Sequence, residues 1–323
     1  MTEAPRPRVL FSRCLGFASC RYNGLSVQEP AVERIKPFVD VVTVCPEVEI
    51  GLGVPRSPIR LVGPLGAARL VQPETGKDVT EAMARFADTF LAEIGACDGA
   101  ILKAASPSCG PRDVRAYAAP VRGSGFTKTR GAFAAAVLET RSLWTVEDEG
   151  RLRNFDLRGH FLTRIFASAR LRSALARGRM SDLVAFHADH KLLLMAYNQT
   201  QMGQLGRIVA NAERRPFSET ASDYAQHFAA ALERLPRRTS AINVLQHAFG
   251  YVSAQLEAKE KRFFLDGLEQ FREGRVPLAV PVHLMQSLIL RFDVPYLAGQ
   301  AFFEPFPREM SDVLDSGKGR SVR

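Results

Sequence analysis

The sequence predicts an α/β domain, a small mostly parallel sheet with flanking helices, followed by an all-α domain. Three observations carry this expectation. Short β-branched or apolar runs alternate with helical patterns up to about residue 150, the order that yields parallel strands joined by crossover helices. Beyond Arg151 apolar residues recur at spacings of three and four, and strand candidates become few. The length, 323 residues, exceeds what one core usually organises, so two domains are expected, residues 1–150 and 151–323.

In chain order, Pro7 to Phe11 reads as a strand leading into a glycine-bounded loop with Cys14 and Cys20. Val27 to Val39 has helical spacing at Val32, Ile35 and Val39, limited by Pro37. Val41-Val42-Thr43-Val44 is expected as a buried strand ending at Cys45. From Pro46 to Pro64 glycine and proline crowd the chain, and a long ordered loop beginning at Cys45-Pro46-Glu47 is expected. Asp78-Val79-Thr80-Glu81 opens a helix whose apolar face holds Met83, Phe86, Phe90, Leu91 and Ile94, and Gly95 stops it. Gly99 to Lys103 is strand-like and leads to Ser106-Pro107-Ser108-Cys109-Gly110. A helix from about Lys128 to Glu139 completes the domain, with Trp144 to Gly150 as its boundary. The second domain is expected to contain helices over Phe155 to Arg177, a Ser181-capped stretch through Met195 to Ile208, Ala221 to Leu235, Ala241 to Leu268 and Val282 to Phe292. The tail from Ser316 is expected to be disordered.

The chemistry lies in the cysteines. Cys14, Cys45 and Cys109 each follow a predicted strand, and loops at the carboxyl ends of parallel strands gather on one edge, where ligands bind. Thiolates are soft ligands suited to iron, and the surrounding glycines let backbone N–H groups approach sulfur. The loops therefore read as halves of an iron–sulfur site; no Cys-x-x-Cys pair occurs, so ferredoxin and zinc-ribbon patterns are absent, and buried structural cysteines or a zinc site are the other readings. Cys97 reads as packing. Five cysteines are too few for a disulfide scaffold, and no apolar run is of spanning length, so a cytoplasmic protein without membrane contact is expected.

The net charge of +9 is unevenly spread. Residues 1–150 carry 18 Lys and Arg against 17 Asp and Glu, whereas residues 151–215 carry 12 against 4, eleven of the twelve being Arg. Such a local excess suits RNA, whose phosphates release counterions when neutralised, although a solvated basic surface has the same composition. The contact candidates are Arg164, Arg170, Arg172, Arg177, Arg179 and Lys191. His187 and His190 share a helix face and are expected on a polar face or at an RNA contact rather than on a metal.

The motifs Ser12-x-Cys14-Leu15-Gly16, Cys20-Arg21-Tyr22-Asn23-Gly24, Cys45-Pro46-Glu47-Val48, Gly51-Leu52-Gly53-Val54-Pro55-Arg56 and Lys103-x-x-Ser106-Pro107-Ser108-Cys109-Gly110 occur in order. Together they resemble the thiouracil desulfidase family over residues 8 to about 150. Residues from about 155 to 310 resemble the YbgA-like domain in Phe186-His187-x-x-His190-Lys191, Gly250-Tyr251, Glu260-Lys261 and Tyr296-Leu297-x-x-Gln300. The fused form is similar to bacterial desulfidases that return 4-thiouridine in tRNA to uridine. The resemblance implies a 4Fe-4S cluster on three cysteines, with one iron open to the sulfur of a thiolated pyrimidine. Cys14, Cys45 and Cys109 are favoured as ligands because each directly follows a strand, which leaves Cys20 as a catalytic or neighbouring thiol. In such a hydrolytic, non-redox reaction Glu47 would handle the proton of water, and Ser106 or Ser108 would orient the substrate. Neither a nicotinamide nor a flavin is expected. The alternatives are a desulfidase of free thiouracil or thionucleosides, and a non-catalytic iron–sulfur module that binds RNA or senses redox state.

Overall fold

The computed structural model describes residues 5–121 and 123–311 and divides the chain into two compact units. The first runs to Ala169 and takes in Met310, and the second is Arg170–Glu309. This division falls inside a helix, one element beyond residue 150.

The first unit runs β1 (Arg8–Ser12), α1 (Pro30–Ile35), β2 (Asp40–Val44), α2 (Pro46–Glu49), β3 (Arg60–Val62), β4 (Arg69–Gln72) and β5 (Lys77–Asp78). It continues with α3 (Thr80–Glu93), β6 (Gly99–Leu102), β7 (Val114–Tyr117), β8 (Phe126–Thr129), α4 (Ala132–Thr140) and β9 (Thr145–Asp148). One sheet has the order β2-β1-β6-β9 with every pairing parallel, as βαβ crossovers require. In register, Leu10 of β1 sits between Val42 and Ala100. The second sheet has the order β5-β4-β3-β7-β8 and is mixed. One apolar core joins the sheets to α3 and α4 through Leu10, Leu61, Leu70, Met83, Leu102 and Phe133. The α3 start is fixed by Asp78, whose carboxylate accepts the Thr80 N–H at 2.9 Å.

Several expectations change. The Pro46–Pro64 stretch is not one loop, because α2 starts immediately after Cys45 and β3 ends it. The helix expected from Lys128 begins at Ala132, and the preceding Phe126 to Thr129 pair antiparallel with β7. The second sheet escaped sequence reading because its strands span two to four residues, too short for alternation to emerge. Trp144 to Gly150 contains β9, a strand whose Thr145, Glu147 and Asp148 are buried. Val41 to Val44 is an edge strand with Val41 exposed, so its β-branched residues reflect strand geometry rather than full burial.

The C-terminal half is helical throughout: α5 (Phe155–Ala176), α6 (Met180–Tyr197), α7 (Gln199–Ala210), α8 (Phe217–Ala231), α9 (Arg238–Gly250), α10 (Ala258–Arg272), α11 (Ala279–Arg291) and the single turn α12 (Pro295–Ala298). Ser181 does not cap α6: the N-cap is Arg179, without a side-chain bond, and Arg179 instead pairs with Asp182 at 2.7 Å. The stretch to Ile208 is two helices, because the Asn198 side chain accepts the Gln201 N–H at 3.0 Å and starts α7. Likewise Ala241 to Leu268 breaks after Gly250, and a Glu257–Glu260 capping box begins α10. Apolar periodicity runs through both breaks, since a cap is a local polar event that leaves the core-facing spacing intact. Among the described residues no helix is long and apolar enough to cross a membrane. The tail from Ser316 lies outside the described residues.

Candidate active site

Strands β2, β1 and β6 lie side by side and parallel, so their carboxyl ends share one sheet edge. Cys14 lies just beyond β1, Cys45 immediately follows β2, and Cys109 lies in the loop after β6. A cavity of about 300 Å³ opens there, lined by these three, by Cys20, and by Glu47, Ser106 and Ser108. The structure thus brings together every expected residue of the site. Cys14, Cys20 and Cys45 pack as one cluster with Ala18 and Val48, and the Cys45 thiol lies 3.7 Å from the Cys20 carbonyl. Cys97 belongs to the main core instead.

Glu47 sits on the first turn of α2, where its proximity to Cys45 points its carboxylate at the cavity. Its Oε1 accepts the Ser108 hydroxyl at 2.6 Å, and its Oε2 meets Nε and Nη2 of Arg56 at 2.9 and 2.8 Å. The Arg56 side chain is only 4% exposed and donates further to the carbonyls of Cys20 and Gly53, so it ties the Cys20 loop to the carboxylate. Glu47 is therefore both an ion-pair partner and a cavity residue. Ser106 Oγ accepts the N–H groups of Ser108 and Cys109 at 3.3 and 3.1 Å and lies 3.0 Å from Ser108 Oγ. With both lone pairs occupied, the Ser106 hydroxyl donates to Ser108, which donates to Glu47. The result is a one-way relay ending on the carboxylate.

The Ser106–Cys109 loop is clamped from beneath. Ala134 donates its N–H to the Ser108 carbonyl at 3.1 Å, and a Cβ at Gly131 would stand 2.6 Å from that oxygen. Only glycine lets the start of α4 come so close.

The thiols are held in a dry setting. Burial, then the neighbouring Cys109, Cys20 and Cys45, pushes Cys14 far above the ordinary thiol range. Burial likewise raises Cys20 and Cys109 to about 12. Thiolate charge here requires a cationic partner, and a multi-iron centre is one. Among the described residues no group of three His, Cys, Asp or Glu is placed so as to hold a metal ion. The donor set that lines the cavity, four thiols, is of the soft kind that iron–sulfur clusters take.

Sequence reasoning passed over Glu149 and gave Lys103 no role. The buried Glu149 carboxylate pairs with the Lys103 ammonium and accepts the Ala104 N–H at 2.7 Å, fixing the turn where Ala105 takes a left-handed φ of 56°. Lys103 lines the cavity and draws the Cys14 thiol downward in pKa against the other influences. The signal in the sequence was a lysine ending a buried strand, a position that calls for a counter-charge.

The basic candidates have separate placements. Arg164 and Arg172 are half-buried on α5. Arg170 turns inward, donating to the carbonyls of Pro305 and Glu304, and burial lowers its pKa. Arg177 and Arg179 are exposed and share Asp182, while Lys191 is exposed. His190 does not lie on a polar face: it is buried, stacks on Phe186 at 3.9 Å, bonds the Phe186 carbonyl, and is pushed by burial to a pKa of about 3. His187 Nδ1 meets the Tyr224 hydroxyl at 3.1 Å.

A parallel sheet edge presenting four buried thiols, joined to a helical unit, defines a two-part protein with a thiol-lined reaction cavity. Residues 9–149 match the family model described as 2-thiouracil desulfurase, and residues 191–307 match one described as a protein of unknown function, DUF1722. The chain is 40% identical over 114 residues to the uncharacterized protein YbbK of Bacillus subtilis strain 168, covering 32% of this chain and 72% of that protein. It is 27% identical over 152 residues to the uncharacterized protein YbgA of Escherichia coli strain K12, covering 46% and 88%. A solved structure of a [4Fe-4S]-dependent thiouracil desulfidase, TudS, matches at 29% identity over 46% of this chain and 93% of its own, with a TM-score of 0.36. The chain belongs to the 2-thiouracil desulfurase family, whose domain it carries together with a DUF1722 domain. It is accordingly a desulfidase of thiouracil-type rings.

Proposed function

We propose that the chain removes sulfur from 4-thiouridine in tRNA, replacing C=S with C=O by the balanced, non-redox reaction with water that releases hydrogen sulfide. The observation that carries this reading is the single cavity shared by four thiols and the relay ending on Glu47. Cys14 just beyond β1, Cys45 directly after β2 and Cys109 in the loop after β6 are the proposed ligands of a 4Fe-4S cluster, and Cys20 is the thiol left over. When bound, the cluster supplies a Lewis-acidic iron that no cysteine holds, which polarises the thiocarbonyl.

The remaining steps belong to the chain. Glu47, which lines the cavity and receives the Ser108 hydroxyl on Oε1, takes the proton of the water that adds to the ring carbon. Ser108 and Ser106 keep that carboxylate oriented, and Arg56 fixes its other oxygen, so little reorganisation accompanies the proton transfer. Lys103 offers an ammonium beside the cavity for a ring oxygen. The basic excess over residues 151–215, with Arg177, Arg179 and Lys191 exposed, supports an RNA substrate.

Anaerobic incubation of cluster-loaded protein with tRNA, followed by nucleoside mass spectrometry, tests the proposal. Loss of 4-thiouridine matched by uridine and sulfide is expected. Unchanged tRNA alongside sulfide release from free thiouracil would move the activity to free thiopyrimidines.

A further inference from the structure

The second sheet has two faces of opposite character. Leu61, Leu70, Val114 and Ala116 point into the core. Strand alternation and register put Arg60, Arg69, Arg115, Tyr117, Phe126 and Lys128 on the other face. Arg60 lies over the Tyr117 ring at 5.0 Å, Tyr117 meets Phe126 at 6.0 Å, and Arg115 lies over Phe126 at 4.6 Å. The four side chains make a row in which two adjacent rings are flanked by a guanidinium at each end, with Phe126 48% exposed. Arg69 and Lys128 have Asp78 and Asp113 as partners, but among the described residues neither Arg60 nor Arg115 has an ion pair.

One of these strands starts at the cavity, and a second follows a cavity loop after a short link. Pro58 and Ile59 line the cavity and Arg60 is the next residue, while the Ser106–Cys109 loop leads into β7. We infer that this face is the binding surface for the RNA strand flanking the thiolated base, its arginines meeting phosphates and its rings stacking neighbouring bases. The inference rests on the tRNA reading above and locates an RNA contact within the desulfurase unit itself. Aromatic faces and planar guanidinium groups on an open sheet suit single-stranded RNA, whose unstacked bases seek a π surface and whose phosphates seek charge. A base held in the cavity keeps its neighbouring nucleotides close by, and β3 begins right after Pro58 and Ile59, which line that cavity.

The test uses the full, cluster-loaded chain with two substrates, tRNA containing 4-thiouridine and the free 4-thiouridine nucleoside. For the double variant Arg60→Ala/Arg115→Ala, the KM for tRNA should rise on the order of tenfold, and the slope of log affinity against log salt should become shallower by about two. Phe126→Ala should weaken tRNA binding without changing that slope. Both variants should release sulfide from the nucleoside at the parent rate, which also shows that they fold. Parent-like KM and salt slope for tRNA in both variants would overturn the inference while leaving the tRNA reading intact. A parent protein that acts on the nucleoside but never on tRNA would overturn that reading, and the inference with it.

Discussion

Ser108→Ala separates a relay from a scaffold. Ser108 is wholly buried, and its hydroxyl is the only side-chain donor to Glu47 Oε1 among the described residues, at 2.6 Å. Removing it leaves the backbone bonds of the loop in place, because Ala134 still donates to the residue 108 carbonyl and Ser106 still accepts two N–H groups. A hydrogen bond to a charged acceptor contributes about 1.5–3 kcal/mol. If all of that is realised only in the transition state, kcat falls about ten- to a hundredfold; a bond equally strong in ground and transition states leaves kcat unchanged. The assay is anaerobic sulfide release under saturating thiouridine, with iron content and unfolding temperature measured on the same sample. A variant with full iron, a lowered unfolding temperature and parent kcat would refute the relay and reduce Ser108 to packing.

Other outcomes follow from the same geometry. Glu47→Gln should lower sulfide release by about two to four orders of magnitude, and because Arg56 then loses its buried counter-charge, urea unfolding should move to lower denaturant; parent-like turnover would contradict the assigned role. Gly131→Ala forces a methyl against the Ser108 carbonyl and should displace the Ser106–Cys109 loop, read as reduced iron content after reconstitution; a full complement of iron would contradict the tight approach. Buried His190 has a folded pKa of about 3 against about 6.5 when unfolded, so the unfolded chain binds the extra proton between those values and stability falls as pH falls through that window. From pH 7 to pH 5 this term removes about 2 kcal/mol, and His190→Leu should lose that part of the pH dependence in urea unfolding. Equal pH dependence in parent and variant would contradict the burial argument.

The parallel sheet and the thiol cavity were legible because both rest on strong local patterns. Val9 to Phe11, Val41 to Val44 and Gly99 to Leu102 are apolar runs that each precede a cysteine loop, and parallel topology then forces the loops together. Glu47 and the two serines came with those loops. The second sheet was not legible, since its strands are as short as Arg60–Val62, which carries one inward residue, and their pairing is set by tertiary contact. Glu149 was invisible for a similar reason: its partners Lys103 and Ala104 are 46 and 45 positions away in sequence. In the helical unit the amphipathic spacing located the helices, while their breaks at Asn198 and Glu257 depended on single capping side chains. His190 looked like a surface histidine beside Lys191, yet Phe186 and Phe228 enclose it.

The most direct test of the central claim is iron and acid-labile sulfide quantitation on anaerobically reconstituted parent and on Cys14→Ser, Cys20→Ser, Cys45→Ser and Cys109→Ser. The account predicts about four iron and four sulfide per chain in the parent and in Cys20→Ser, with loss of the cluster in the other three. Full iron and sulfide in Cys14→Ser, Cys45→Ser or Cys109→Ser, or a parent that binds none, would contradict it.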